Sequence, residues 1–293
     1  MLFDIVSTKI DVVVLVYNRL RSTIRSIDCI LSDDNLKKLY ILDDGSTLDN
    51  YRILQEKYLD NEKIEFLRNH KNMGYSYNLE KGLLILSKSK ADLVFLCESD
   101  MLLDKSWGQK VIKGFNVSPD TVCITPMLQA SHFNKKHEKR HWDLCAKYFG
   151  KSSPASLPSY QKLQLIDKDF SLKYVSSSIG TMIFKRDFFT KISYQECRNH
   201  KKMEDGWLSW QCFHENNFLP TSLGALDPGV AFTMATPGVS GQYPILRNKR
   251  WNGSFFWRSK IISSITRFFY KYTLYSIGIL NGTIKIKLRS LTK

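Results

Sequence analysis

The sequence predicts an α/β fold, an open and mostly parallel sheet flanked by helices, and three observations carry that expectation. Between residues 10 and 100, apolar runs of strand length alternate with longer segments of helical spacing. Three of those runs end abruptly in polar residues, and ligands of open α/β sheets sit beyond the carboxyl ends of the strands. At 293 residues and 43% hydrophobic content, the chain is long enough to bury a full core.

The elements follow in order. Ile10 to Val16 is an apolar strand that stops at Tyr17-Asn18-Arg19, and Leu20 to Leu31 has helical spacing. Leu39 to Leu42 reads as a second strand ending in Asp43-Asp44-Gly45-Ser46, a sequence that favours a tight turn. Helical segments follow at Leu48 to Leu59 and Tyr77 to Leu86. The stretch Asp92-Leu93-Val94-Phe95-Leu96-Cys97-Glu98-Ser99-Asp100 is an apolar run closed by two acids one residue apart. If strand geometry persists to its end, Glu98 and Asp100 point the same way. Two carboxylates so placed repel unless a cation lies between them, and a hard divalent ion takes such a pair with water and phosphate oxygens. The alternative is a strand that ends in a solvated acidic loop.

Beyond residue 100 the pattern is less regular. Three histidines, His132, His137 and His141, lie among Lys135, Lys136, Lys139 and Arg140. The surrounding positive charge disfavours a cation there, and a solvated, acceptor-facing loop is expected. Lys151 to Ser159 has loop composition, and Tyr174 to Lys185 reads as one further strand. Glu204 and Asp205 precede Trp207-Leu208-Ser209-Trp210, as acids precede apolar residues at a helix N-terminus. Pro228 to Leu246 is uncharged but contains three prolines and three glycines, so it cannot form a continuous membrane helix; it reads as a mobile loop or a linker.

Charge divides the chain. After Asp227 there is no acidic residue, and 11 Lys and Arg residues there account for most of the formal +15. On a helix, Lys260, Arg267 and Lys271 share one sector, opposite Ile261, Ile262, Ile265, Phe268, Phe269 and Tyr272. Such a basic, aromatic-rich amphipathic helix is expected to lie on an anionic membrane surface, with packing on protein as the alternative; nucleic acid is not an expected partner. The expected division is a domain over 1–246 and a basic amphipathic helical tail over 247–293. The six cysteines show no metal or redox spacing, and the start of the chain lacks the basic opening of a secretory leader. These features suggest reduced thiols and a cytoplasmic protein, peripheral on the cytoplasmic face of the membrane.

Five segments together resemble the family 2 glycosyltransferases, inverting enzymes of the nucleotide-diphosphosugar transferase superfamily with the GT-A fold. Val12 to Arg19 is similar to the opening strand and nucleoside loop, Ile41 to Thr47 to the second strand, and Asn72 to Gly82 to the segment leading into the donor-side helix. Glu98-Ser99-Asp100 stands where the family has its metal-binding triplet, and Met203 to Trp207 resembles the Glu-Asp pair that supplies the catalytic base. Two positions depart from the usual pattern, Glu98 in place of Asp and Glu80 in place of Asn.

The resemblance implies transfer of a sugar from a nucleotide-diphosphosugar, a uridine diphosphate by family habit, to a hydroxyl of a glycan or lipid-linked acceptor. It further implies Asp205 as catalytic base with Glu204 as substitute, and Mn2+ or Mg2+ held by Asp100 with Glu98 directly or through water. Donor contacts are implied for Tyr17, Asn18, Arg19, Asp44, Gly74, Asn78, Lys81 and Ser99, and acceptor contacts for Trp207 and Gly180. Two other readings remain: a nucleotidyltransferase, although Tyr17 to Arg21 lacks a glycine-rich phosphate loop, and a non-catalytic sugar-nucleotide-binding protein at the membrane.

Overall fold

The structure, a computed structural model, describes residues 2–126, 163–167, 170–175, 178, 180–192, 204–227 and 229–233. The expectations for the histidine-rich stretch, for most of the 228–246 loop and for the basic tail lie outside these residues.

The first hundred residues alternate strand and helix: β1 (Ile10–Val16), α1 (Leu20–Leu31), β2 (Leu36–Asp43), α2 (Leu48–Tyr58), β3 (Ile64–Arg68), α3 (Tyr75–Ser87) and β4 (Leu93–Glu98). β5 (Met101–Leu103), α4 (Trp107–Val117), β6 (Cys123–Thr125), β7 (Leu163–Asp167), β8 (Phe170–Tyr174) and β9 (Met182–Lys185) follow. The remaining described elements are α5 (Arg186–Phe189), α6 (Glu204–His214), β10 (Leu223–Asp227) and β11 (Ala231–Thr233).

Nine strands form one sheet in the order β3-β2-β1-β4-β9-β6-β10-β8-β7. Parallel pairing joins β3, β2, β1 and β4, and also β6 and β10; β9 and β8 run antiparallel to their neighbours. The sheet is therefore mixed but mostly parallel. β5 and β11 pair separately as a small antiparallel ribbon, so the chain just after Asp227 includes a short strand as well as loop.

Every residue of β1 is buried because both sheet faces are covered. Val12, Val14 and Val16 face one core with α1 and α4, whereas Val13 and Leu15 face another with α3, α5 and α6. Each fully buried side chain of this size contributes about 2 kcal/mol through removal of apolar surface from water.

Three departures from the sequence expectation concern strands. β3 falls between the second and third helices, where the sequence suggested none; it is a short edge strand, only partly buried, so its apolar signal is weak. β4 ends at Glu98 and the chain turns through Ser99 and Asp100, so strand alternation does not reach Asp100. The expected single strand from Tyr174 to Lys185 is two strands. β8 ends at Tyr174, and the chain passes Gly180 at φ +71 before β9 inserts antiparallel between β4 and β6. Glycine takes the left-handed conformation at little cost, which lets the chain turn between the two strands.

Candidate active site

Three loops meet at the carboxyl ends of β1, β2 and β4. After β1, Tyr17 is 44% exposed and Asn18 adopts φ +59, a left-handed conformation that Asn tolerates better than most residues. Asn18 is pinned to the next loop from three sides: its N–H donates to Ser46 Oγ at 2.8 Å, its Oδ1 accepts from Thr47 N at 2.9 Å, and its carbonyl accepts from Asn50 Nδ2 at 3.2 Å. Asn18 thus joins the loops after β1 and β2. Arg19, at the N-cap of α1, extends its guanidinium to Asp100, Nη1 to Oδ2 at 2.8 Å.

After β2, the two aspartates divide the work. Asp43 is wholly buried, accepts from Ser46 N at 3.2 Å, and pairs with Arg68 Nε at 3.6 Å. Burial raises its pKa above the ordinary value, with the Ser46 bonds and the Arg68 charge opposing. Arg68 also donates to the Ser46 carbonyl at 2.7 Å and lies over the Tyr51 ring, so this ion pair braces the turn. Gly45 within it has φ +70, and a Cβ there would collide with the Lys71 and Asn72 backbone.

Asp44 accepts from Asn69 Nδ2 at 2.8 Å, Met73 N at 2.9 Å and Gly74 N at 3.0 Å. The Asn69 amide also donates to Asn78 Oδ1 at 3.1 Å and accepts from Lys81 Nζ at 2.7 Å, while Asn78 Nδ2 donates to the Leu42 carbonyl at 3.1 Å. Asp44, Asn78 and Lys81, separated in sequence, are therefore linked through Asn69. The sequence reading did not single out Asn69. Its signal is the same polar strand end seen after β1, β2 and β4, hidden because β3 was not marked as a strand.

After β4, Ser99 and Asp100 are 4% and 3% exposed. Asp100 Oδ1 is buried without a hydrogen-bond partner, while Oδ2 is held by Arg19. Burial raises the Asp100 pKa, and the Arg19 charge works against that rise. A cationic group already faces Asp100 here, the guanidinium of Arg19. The carboxylate of Glu98 lies over Gly180: a Cβ on that glycine would stand 2.6 Å from Glu98 Oε1. No cluster of three His, Cys, Asp or Glu side chains suited to a metal occurs among the described residues. An orphaned, buried carboxylate oxygen on Asp100 nonetheless fits a hard divalent ion whose other positions are taken by phosphates and water.

Glu204 and Asp205 open α6, and their side chains lie outside the described residues. Ser209, one helical turn after Asp205, accepts from Ser178 N at 2.9 Å, which ties α6 to the segment carrying Gly180 and so to Glu98. Trp207 and Trp210, 1% and 4% exposed, are packed in the second core cluster, and Trp210 stacks on His214 at 4.5 Å. As placed, neither offers an open ring face.

The sequence matches the model of "Glycosyl transferase family 2" over residues 11–189. No curated protein sequence matches the chain. Among solved structures it is similar to GalNAc-T7 with UDP, GalNAc and Mn2+, at TM-score 0.52 and 12% identity over 89% of this chain and 48% of that one. It is also similar to the mannosyltransferase PcManGT from Pyrobaculum calidifontis in complex with GDP-Man and Mn2+ (TM-score 0.45, 13% identity, 80% of this chain, 60% of that one). A third is S. aureus TarS 1-349 (TM-score 0.44, 16% identity, 74% of this chain, 58% of that one). The chain thus spans between 48% and 60% of the lengths of these solved chains.

Proposed function

The chain belongs to glycosyl transferase family 2, and from that premise we propose that it transfers a hexosyl or N-acetylhexosaminyl group from a nucleotide-diphosphate donor to an acceptor hydroxyl with inversion. The observation that carries this reading is the junction beyond the carboxyl ends of β1 to β4, where Asp44, Asn69, Asn78 and Lys81 form one network and Arg19, next to the Asn18 that is tied to the Ser46-Thr47 turn, meets Asp100. The donor is a uridine diphosphosugar and the acceptor a glycan or lipid-linked glycan of surface polysaccharide synthesis. GalNAc-T7, described with UDP, GalNAc and Mn2+, has a related fold, which is in keeping with this assignment.

Asp100, assisted by Glu98, would hold Mn2+ or Mg2+, which when bound offsets negative charge on the departing diphosphate. Lys81, braced by Asn69, presents a second positive charge on the donor side. Tyr17 flanks the nucleoside from its exposed position. Asp205 removes the proton from the attacking acceptor hydroxyl, with Glu204 as its substitute, and attack from the face opposite the diphosphate inverts the anomeric carbon. The basic tail over 247–293 docks the enzyme on the cytoplasmic face of an anionic membrane, where a lipid-linked acceptor resides.

Incubation with nucleotide sugars and Mn2+ tests the reaction. Release of nucleoside diphosphate is the expected result; pyrophosphate release from a nucleoside triphosphate and sugar phosphate would identify a nucleotidyltransferase instead. Asp205→Asn should lower kcat by about 10²-fold or more, the scale of a lost general base. Full turnover in that variant would remove Asp205 from the mechanism.

A further inference from the structure

We propose that Arg19 is the resident counter-ion of Asp100, and that loading of the site exchanges its guanidinium for the divalent cation. The inference rests on the reading of Asp100 as the metal-holding residue. Its foundation is the asymmetry of the pair: the Asp100 side chain is 5% exposed, whereas that of Arg19 is 30% exposed. One partner is fixed in the interior and the other stands at its edge on a long, jointed side chain.

A buried carboxylate without a compensating charge is costly, so without metal Asp100 requires the contact that Arg19 makes at 2.8 Å. The same contact covers one of the two oxygens that a cation would take, leaving Oδ1 buried and without a hydrogen-bond partner. An arriving ion therefore meets a half-satisfied ligand and a like charge. Electrostatic repulsion between the ion and the guanidinium drives Arg19 from Asp100.

The backbone on which Arg19 turns is fixed. Asn18 is held to Ser46, Thr47 and Asn50, so the exchange is a side-chain rotation and not a movement of the loop. The donor supplies a new partner for the released guanidinium, because a planar fork of N–H groups matches phosphate as well as it matches carboxylate. Metal alone breaks the Arg19–Asp100 pair and brings the guanidinium no anion in exchange, whereas metal with a nucleoside diphosphate brings one. Metal and donor therefore bind cooperatively, and Arg19 is the positioning residue through which they are coupled.

Equilibrium binding of Mn2+, read from the electron paramagnetic resonance of the free ion with and without UDP, tests the exchange in wild type, Arg19→Gln, Arg19→Lys and Asp100→Asn. Arg19→Gln should bind Mn2+ alone about tenfold more tightly than wild type, with a smaller enhancement by UDP, a coupling of ordinary allosteric size. Arg19→Lys, which keeps the charge, should bind Mn2+ alone with near wild-type affinity. In thermal melts, Arg19→Gln should be less stable than wild type in EDTA and gain more from Mn2+. Unchanged or weaker Mn2+ binding by Arg19→Gln, with loss of binding in Asp100→Asn, would overturn the exchange and leave the proposed function intact. Equal Mn2+ affinity in wild type and Asp100→Asn would instead overturn the assignment of Asp100 and the exchange with it.

Discussion

Asn69 illustrates how much of this site is held by a residue with no charge. Its amide serves Asp44, Asn78 and Lys81 at once, so its removal leaves several buried polar groups without a partner. Asn69→Ala should destabilise the protein by about 2 kcal/mol in chemical denaturation and raise the donor KM more than it lowers kcat. Stability equal to wild type would show that water replaces the amide at no cost.

Asp43 predicts a pH effect. Burial lifts its folded pKa above 3.8, so its stabilising contribution is full below that value and declines as pH rises through the raised one. Asp43→Asn keeps an acceptor for Ser46 N but has no proton to lose. Urea unfolding from about pH 4 to pH 7 should therefore show the variant gaining on wild type as pH rises. A difference independent of pH would contradict the buried-carboxylate account.

At the scale of elements, the decisive feature is the break between β8 and β9. Gly180 sits in the left-handed region, buried against Glu98, and its placement allows β9 to enter the sheet between β4 and β6. Gly180→Ala should cost about 1 to 2 kcal/mol from backbone strain alone, and the new methyl displaces the Glu98 carboxylate. The Mn2+ concentration for half-maximal turnover should rise in this variant. A wild-type metal requirement would separate Glu98 from the ion. The helices divide between the two faces: α1 and α4 close one face of the sheet and α3, α5 and α6 the other.

At the scale of the whole molecule, charge is segregated from chemistry. Along the sequence, the 11 basic residues after Asp227 follow the segments that carry Asp44, Asn69 and Asp100. No described helix is long and apolar enough to cross a membrane; in the proposed arrangement the basic tail makes the attachment. Deletion of residues 253–293 should abolish sedimentation with anionic vesicles while nucleoside diphosphate release from the donor, with a soluble acceptor, persists. Co-sedimentation of the truncated protein at the full-length level would show that the tail is no anchor.

The sequence by itself determined the alternation of strands and helices and the clustering of polar residues at strand ends. Local periodicity and turn chemistry are written in neighbouring residues, and five segments in family order named the fold. Only the tertiary structure decided which polar ends touch. β3 was hidden by its partial burial at the sheet edge, Asn69 by following β3, and the break before β9 by the strand-like residues on both sides of it, Tyr174-Val175 and Met182-Ile183-Phe184. The Arg19–Asp100 pair spans 81 positions, and no local pattern encodes a contact made by two loops that meet only when β1 and β4 lie side by side.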